Sequence, residues 1–196
     1  MCGIAGIMYK GEAQTFDTGE ALIRMLDGCQ HRGPDSTGFA LYGEAQPGEL
    51  KLRFFLDDKS DSKTGIEVIQ QRLSELGAVI TAESEIGANY RVTVKYDADV
   101  QNLAYEMERA ARVISIGTSL EIVKDVGSAH DVDDRYSVGE YQGSHGLGHV
   151  RLATESDVKP EASHPFWATG FADVAIVHNG QITNYWKMRR RLEQRG

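Results

Sequence analysis

The sequence predicts an α+β fold, and three observations carry that expectation. Tyr90, Val92, Val94 and Tyr96 alternate with period two, the signature of a half-buried strand. Two stripes, Ile66-Ile69-Leu73-Leu76 and Val100-Leu103-Ala104-Met107-Ala111, recur at the spacing of one helix face. Between residues 50 and 126 such segments follow in the order β-α-β-β-α-β, strands and helices interleaved as two split βαβ units.

Taken in order along the chain, Cys2 to Tyr9 is a short apolar run broken by Gly3 and Gly6 and suits a buried strand. Leu22, Met25, Leu26 and Cys29 recur at i, i+3, i+4 and i+7, which makes Cys29 a small core-facing residue of a helix. His31 to Ser36 is turn-rich, and Gly38 to Tyr42 resumes as a strand. Leu52 to Leu56 is a strand, and the Ile66 stripe closes at Gly77, a residue suited to a helix C-terminus. Ala78 to Ala82 is the next strand, Gly87-Ala88-Asn89 a turn, and Leu120 to Val123 the last strand of the unit. This order is the ferredoxin-like arrangement, so residues 50–126 are expected to form an inserted ferredoxin-like βαββαβ subdomain. The main body then comprises 2–49 and 127–196. Asp125 to Gly143 is polar and expected to be a solvated linker; Asp131, Asp133, Asp134 and His130 lack the spacing of an oxygen cage, and no metal is expected. Gly146 to Ala153 and Val174 to His178 read as strands, Asn179-Gly180 as a turn, and a helix starts near Asn184 with Tyr185, Met188 and Leu192 on one face.

The 196 residues are 41% apolar and 26% charged, ordinary for a globular chain. Lys and Arg number 21 against 29 Asp and Glu, a net charge of −8. That balance argues against nucleic acid or an anionic membrane as partner, since both select a basic face. No apolar run approaches a membrane span and the N-terminus lacks a basic region followed by a long apolar core, so a cytoplasmic location is expected. In a reducing compartment Cys2 and Cys29 are not expected to pair.

Cys2 has two accounts. As the residue after the initiator methionine, it becomes the N-terminus when Met1 is removed. It then carries both a thiol and an α-amine that titrates near neutrality, a nucleophile and its base on one residue. Alternatively it is a buried cysteine opening an apolar strand. The remaining motifs favour the first. Met1-Cys2-Gly3-Ile4-Ala5-Gly6-Ile7, Arg32-Gly33-Pro34-Asp35-Ser36, Gly148-His149-Val150-Arg151-Leu152-Ala153-Thr154 and His178-Asn179-Gly180 occur in this order, and together they resemble the class II glutamine amidotransferases. The resemblance spans roughly residues 1–45 and 140–196 and leaves the insertion outside it.

The resemblance implies an Ntn-hydrolase αββα four-layer sandwich. It further implies that Cys2 attacks the carboxamide of glutamine, with Asn179 and the Gly180 N–H as oxyanion donors. By the same match Arg151 binds the substrate α-carboxylate, Thr154 is a second substrate contact, and Arg32 supports the N-terminus. No cofactor is implied. Around Arg151-Leu152-Ala153-Thr154-Glu155-Ser156 and Ser163-His164-Pro165-Phe166 the chain looks most like the amidotransferase subunits of glutamate synthase-type and N-methylglutamate synthase-type enzymes. A partner synthase subunit or domain would then receive the ammonia. The family's aspartate for the substrate amino group has no counterpart after Asn179, so the sandwich is expected to be C-terminally incomplete and the chain a fragment, with a truncated gene product as the alternative. The alternatives are the glutaminase part of an asparagine- or aminosugar-forming enzyme, and a non-catalytic regulatory module.

Overall fold

The computed structural model describes residues 2–10, 16–56, 62–153 and 158–195. Its strands are β1 (Gly3–Met8), β2 (Ser36–Tyr42), β3 (Glu49–Phe55), β4 (Val79–Ile86), β5 (Asn89–Lys95), β6 (Val113–Gly117), β7 (Leu120–Val126), β8 (His145–Arg151), β9 (Phe166–Trp167) and β10 (Ala175–Ile176). The α-helices are α1 (Thr18–Asp27), α2 (Ser62–Glu75), α3 (Val100–Ala110), α4 (Ala129–Tyr136) and α5 (Tyr185–Glu193). This is a mixed α/β architecture of antiparallel sheets. Among the described residues no helix is long and apolar enough to cross a membrane.

The first sheet has the order β1-β8-β2-β7 and is antiparallel throughout. At its centre β2 is buried on both faces, so its period-two alternation sorts side chains into two cores. Phe39 and Leu41 join Leu22, Ile23 and Leu26 of α1 and Val132 of α4. Ala40 and Tyr42 join Leu120 and Ile122 of β7 in a larger apolar cluster with the second sheet.

That second sheet has the order β4-β5-β3-β6, again antiparallel. Leu52, Phe54, Val92 and Val94 from its strands meet Ile69 and Leu73 of α2 and Leu103 and Met107 of α3. The helical stripes read in the sequence are therefore the buried faces. Helix α2 ends in a reciprocal pair of backbone bonds, Ala78 N–H to Leu73 O at 2.9 Å and Gly77 N–H to Ser74 O at 3.0 Å. Gly77 carries the positive φ of 80° that this ending requires. Asp99 caps α3 by accepting from the Gln101 N–H at 2.9 Å.

Two expectations are corrected. The strand that closes the second sheet is Val113–Gly117, paired with β3; the expected Leu120–Val123 segment is part of β7, which pairs with β2 in the first sheet. Both segments are short and apolar, and pattern alone does not assign such a strand to a sheet. The polar stretch from Asp125 to Gly143 is not a linker but contains α4. Ser128 and Asp131 form a reciprocal capping box at its start, and Ala129, Val132 and Tyr136 are buried. The neighbouring acids are likewise occupied: Asp133 accepts from the Gly139 N–H at 2.6 Å, and His130 pairs with Asp27 at 2.8 Å.

Where the two sheets meet, a charged cluster is buried. The Glu121 carboxylate of β7 accepts from Arg53 Nη2 of β3 at 3.1 Å and from Arg91 Nε and Nη2 of β5 at 2.6 and 2.8 Å. Burial pushes the Glu121 carboxyl up, but the two guanidiniums outweigh it and hold the group at about 2.

Candidate active site

Cys2 stands at the head of β1, half-buried, where the β1–β8 pairing sets Gly3 opposite Val150. The register therefore brings the cysteine beside the end of β8, and its Sγ lies 4.0 Å from the Leu152 carbonyl oxygen. Arg151, the last residue of β8, is buried. The turn before β2 is sewn to the same strand end. Asp35 N–H donates to Arg151 O at 3.1 Å, and the Asp35 carboxylate accepts from the Ala153 N–H at 2.7 Å. Gly33 permits this approach, because a Cβ there would come within 2.5 Å of the Val150 backbone.

From the other end of the chain, β10 pairs with β9 and leads into His178-Asn179-Gly180. The Asn179 side-chain Nδ2 donates to the Cys2 carbonyl oxygen at 2.9 Å. His149 of β8, itself buried, holds the same segment from below through Nε2 to the His178 carbonyl at 3.2 Å. Gly180 is exposed and has a φ of 153°, with the His178 ring 3.1 Å from where a Cβ would stand.

Of the residues singled out in the sequence, Cys2, Arg151, Asn179 and Gly180 converge on one end of the first sheet. Thr154 lies outside the described residues. Arg32 is exposed on the short 3-10 turn Gln30–Arg32, and its electrostatic neighbour is the Cys29 thiol. That thiol is pushed up by burial and drawn down in part by Arg32. Both cysteines are free, and Cys29 Sγ packs where a Cβ on Gly3 would otherwise sit, 2.7 Å away.

Sequence reasoning missed the aromatic base beneath the site. The His149 and His164 rings lie 4.7 Å apart, His164 meets Phe166 edge-on at 4.6 Å, and His178 is 6.4 Å from His164. Burial, then the charges of His149 and Lys124, lowers His164 to about 4, and burial lowers His149 as well. Lys124 of β7 is also buried, its ammonium donating to Ser163 O at 2.9 Å and Pro165 O at 3.2 Å over the Phe166 ring. Burial holds it down at about 8. His164 thus stays neutral near pH 7.

A stability dependence follows from His164. The unfolded chain binds a proton at its histidines near pH 6.5, whereas folded His164 does so only near 4. Between those values the unfolded state holds more protons. The contribution is fully present above 6.5 and falls as the pH drops toward 4. Thermal melts across this window are expected to drop less steeply for His164→Gln than for the unaltered protein; equal slopes would contradict the assignment.

No family model matches the chain. It is 36% identical, across its whole length, to a Methanothermobacter thermautotrophicus protein provisionally named a glutamine amidotransferase. It is 35% identical to the glutamine amidotransferase-like protein GlxB of Rhizobium meliloti, again along the whole chain, so the segment 50–126 is covered in both. The chain spans 66% and 64% of these two relatives. The glutamine–fructose-6-phosphate aminotransferase of M. thermautotrophicus matches at 31% over 97 residues, half of this chain and 16% of that enzyme. These similarities, with the convergence of Cys2 and Asn179 from opposite ends of the chain, support a glutamine amidotransferase family for this protein.

Proposed function

We propose that the full-length protein hydrolyses glutamine to glutamate and ammonia as a class II amidotransferase, with Cys2 as nucleophile. The observation that carries the reading is the 2.9 Å bond from Asn179 Nδ2 to the Cys2 carbonyl. It holds a side-chain amide donor against the backbone of the candidate nucleophile, the neighbourhood in which an oxyanion would form.

On removal of Met1 the Cys2 α-amine takes the thiol proton as sulfur attacks the side-chain carbonyl of glutamine. The tetrahedral oxyanion is held by the second Asn179 N–H and the Gly180 N–H. Collapse breaks the C–N bond, and the amine returns the proton to the leaving nitrogen, releasing ammonia and a glutamyl thioester. Water, deprotonated by the same amine, then attacks the thioester and frees glutamate and the thiol. Arg151 suits the substrate α-carboxylate through a bidentate guanidinium contact, with Thr154 as a second contact. The arrangement assigns no step to a cofactor.

The ammonia would pass to a synthase subunit or domain, and the motifs around Arg151 and His164 favour a glutamate synthase-type or N-methylglutamate synthase-type partner. We further propose that the β3–β6 unit, about residues 49–117, is an insertion into an Ntn-type sandwich formed by the flanking segments. In support, β3 to β6 share the second sheet, whereas β7 pairs in the first.

A glutamine-mimicking chloroketone tests the reading. Intact-mass and peptide mapping are expected to find one adduct on Cys2, with Met1 absent, and glutamate release lost in Cys2→Ala. An adduct that persists in Cys2→Ala, or that maps to Cys29, would sink it.

A further inference from the structure

The hairpin that delivers Asn179 is too short to fix its own position. Strands β9 and β10 exchange only Phe166↔Ile176 and Trp167↔Ala175, extended by one backbone bond from Ala168 N–H to Val174 O at 2.9 Å. A ladder of this length is marginal without outside support. Lys124 and His149 hold its two flanks, and at its turn the support comes from Asp173, two residues before β10, which adopts a φ of 61°. Asn and Asp tolerate this left-handed backbone better than most residues.

Its carboxylate collects the donors of one turn. Oδ1 accepts from the Ser119 and Leu120 N–H groups, each at 2.8 Å, and from Ser119 Oγ at 3.0 Å. Oδ2 accepts from the Thr118 N–H at 3.1 Å and Thr118 Oγ1 at 2.6 Å. Burial works against the charged form, yet these bonds hold the carboxyl below the ordinary aspartate range. Gly117 leaves the room, since a Cβ there would stand 2.5 Å from Oδ1.

Thr118 and Ser119 are the whole connection between β6 of the second sheet and β7 of the first. Ser119 O in turn accepts from the Gly43 N–H at 3.0 Å, just past β2. One carboxylate therefore ties the hairpin to the seam between the sheets, six residues before Asn179.

We infer that Asp173 is a positioning residue, which sets where Asn179 and Gly180 stand relative to Cys2 by locking their hairpin to Thr118-Ser119-Leu120. The inference rests on the oxyanion role proposed above. Through this link the second sheet has a direct mechanical hold on the site.

The test uses the full-length protein with Asp173→Asn and Gly117→Ala. Asparagine keeps the size but turns an amide nitrogen toward N–H donors, and alanine at 117 crowds both the carboxylate and Leu120 at the turn. Both are expected to lower kcat for glutamine hydrolysis by about tenfold to a hundredfold, because the donors are displaced while substrate contacts elsewhere remain. KM and the rate of Cys2 alkylation by iodoacetamide, which needs no oxyanion donor, are expected to stay unchanged. Hydrogen exchange is the readout independent of turnover: protection around residues 174–180 falls in both variants, while β1 and β8 stay protected. Should Asp173→Asn fail to fold, Thr118→Val, which removes one donor, takes its place with the same expected pattern in smaller measure. Unchanged kcat, a parallel loss of kcat and alkylation, or unchanged exchange at 174–180 would overturn the inference. A wild-type protein without glutaminase activity would count against the proposed function, and the exchange result would still decide the role of Asp173.

Discussion

Replacing Asn179 with alanine is expected to lower kcat for glutamine hydrolysis by about 10²–10³, with little change in KM. The side-chain Nδ2 spends one N–H on the Cys2 carbonyl at 2.9 Å, and in the proposed mechanism its second N–H serves the oxyanion. Full negative charge on the carbonyl oxygen exists only after sulfur has attacked. A donor matched to it therefore strengthens the transition state more than the bound substrate, and its loss falls on kcat. Asn179→Asp provides the companion case: it keeps the shape and replaces the donor with an acceptor that repels the oxyanion. Steady-state glutamate release measures both. A rise in KM with kcat intact would mean that Asn179 binds ground-state glutamine instead.

Glu121→Ala is expected to be the most destabilising single change, at about 3–5 kcal/mol. It would leave Arg53, with a side chain only 6% exposed, as a buried cation without its carboxylate. Already in the intact cluster Arg53 Nε and Asn89 Nδ2 have no hydrogen-bond partner, so little slack exists to absorb the loss. Arg91, at 31%, can reach water, whereas Arg53 cannot. Chemical denaturation midpoints check the figure. The double variant Arg53→Met/Glu121→Leu is expected to recover most of the loss, because both buried charges leave together. With Glu121 held at about 2, the cluster's contribution is fully present above the ordinary carboxyl value of 4.5, declines as the pH falls below it and is lost by about 2.

The helices α2 and α3 and the strand β5 were legible in the sequence because each shows one clean period against a single core. Helix α1 was legible through Leu22 and Leu26, both fully buried, although Met25 of the same stripe is 43% exposed. Sheet membership was harder. Val113–Gly117 and Leu120–Val126 are adjacent apolar strands split by two residues, and only long-range pairing decides that the first joins β3 and the second β2. Helix α4 was hidden by composition, since its burial rests on just Ala129, Val132 and Tyr136 within an acidic run. For the site, Cys2, Arg151, Asn179 and Gly180 sit inside recognisable motifs. Asp173 has no such signal: it is a lone acid in a loop, and its donors lie more than fifty residues earlier. His149 was inside a quoted motif but had no assigned role, because its bond to the His178 carbonyl joins β8 to the segment after β10, distant in sequence.

The pairing of β1 with β8 runs without a break from Gly3↔Val150 to Met8↔His145. Alternate residues of a strand face opposite ways, so the face on which Cys2 stands is set by counting along this ladder. Losing or gaining one residue within that strand would leave its apolar character almost intact. It would nevertheless present the sulfur on the wrong side of the sheet or one step beyond Arg151. The first strand is in this sense a ruler with its zero mark at Cys2.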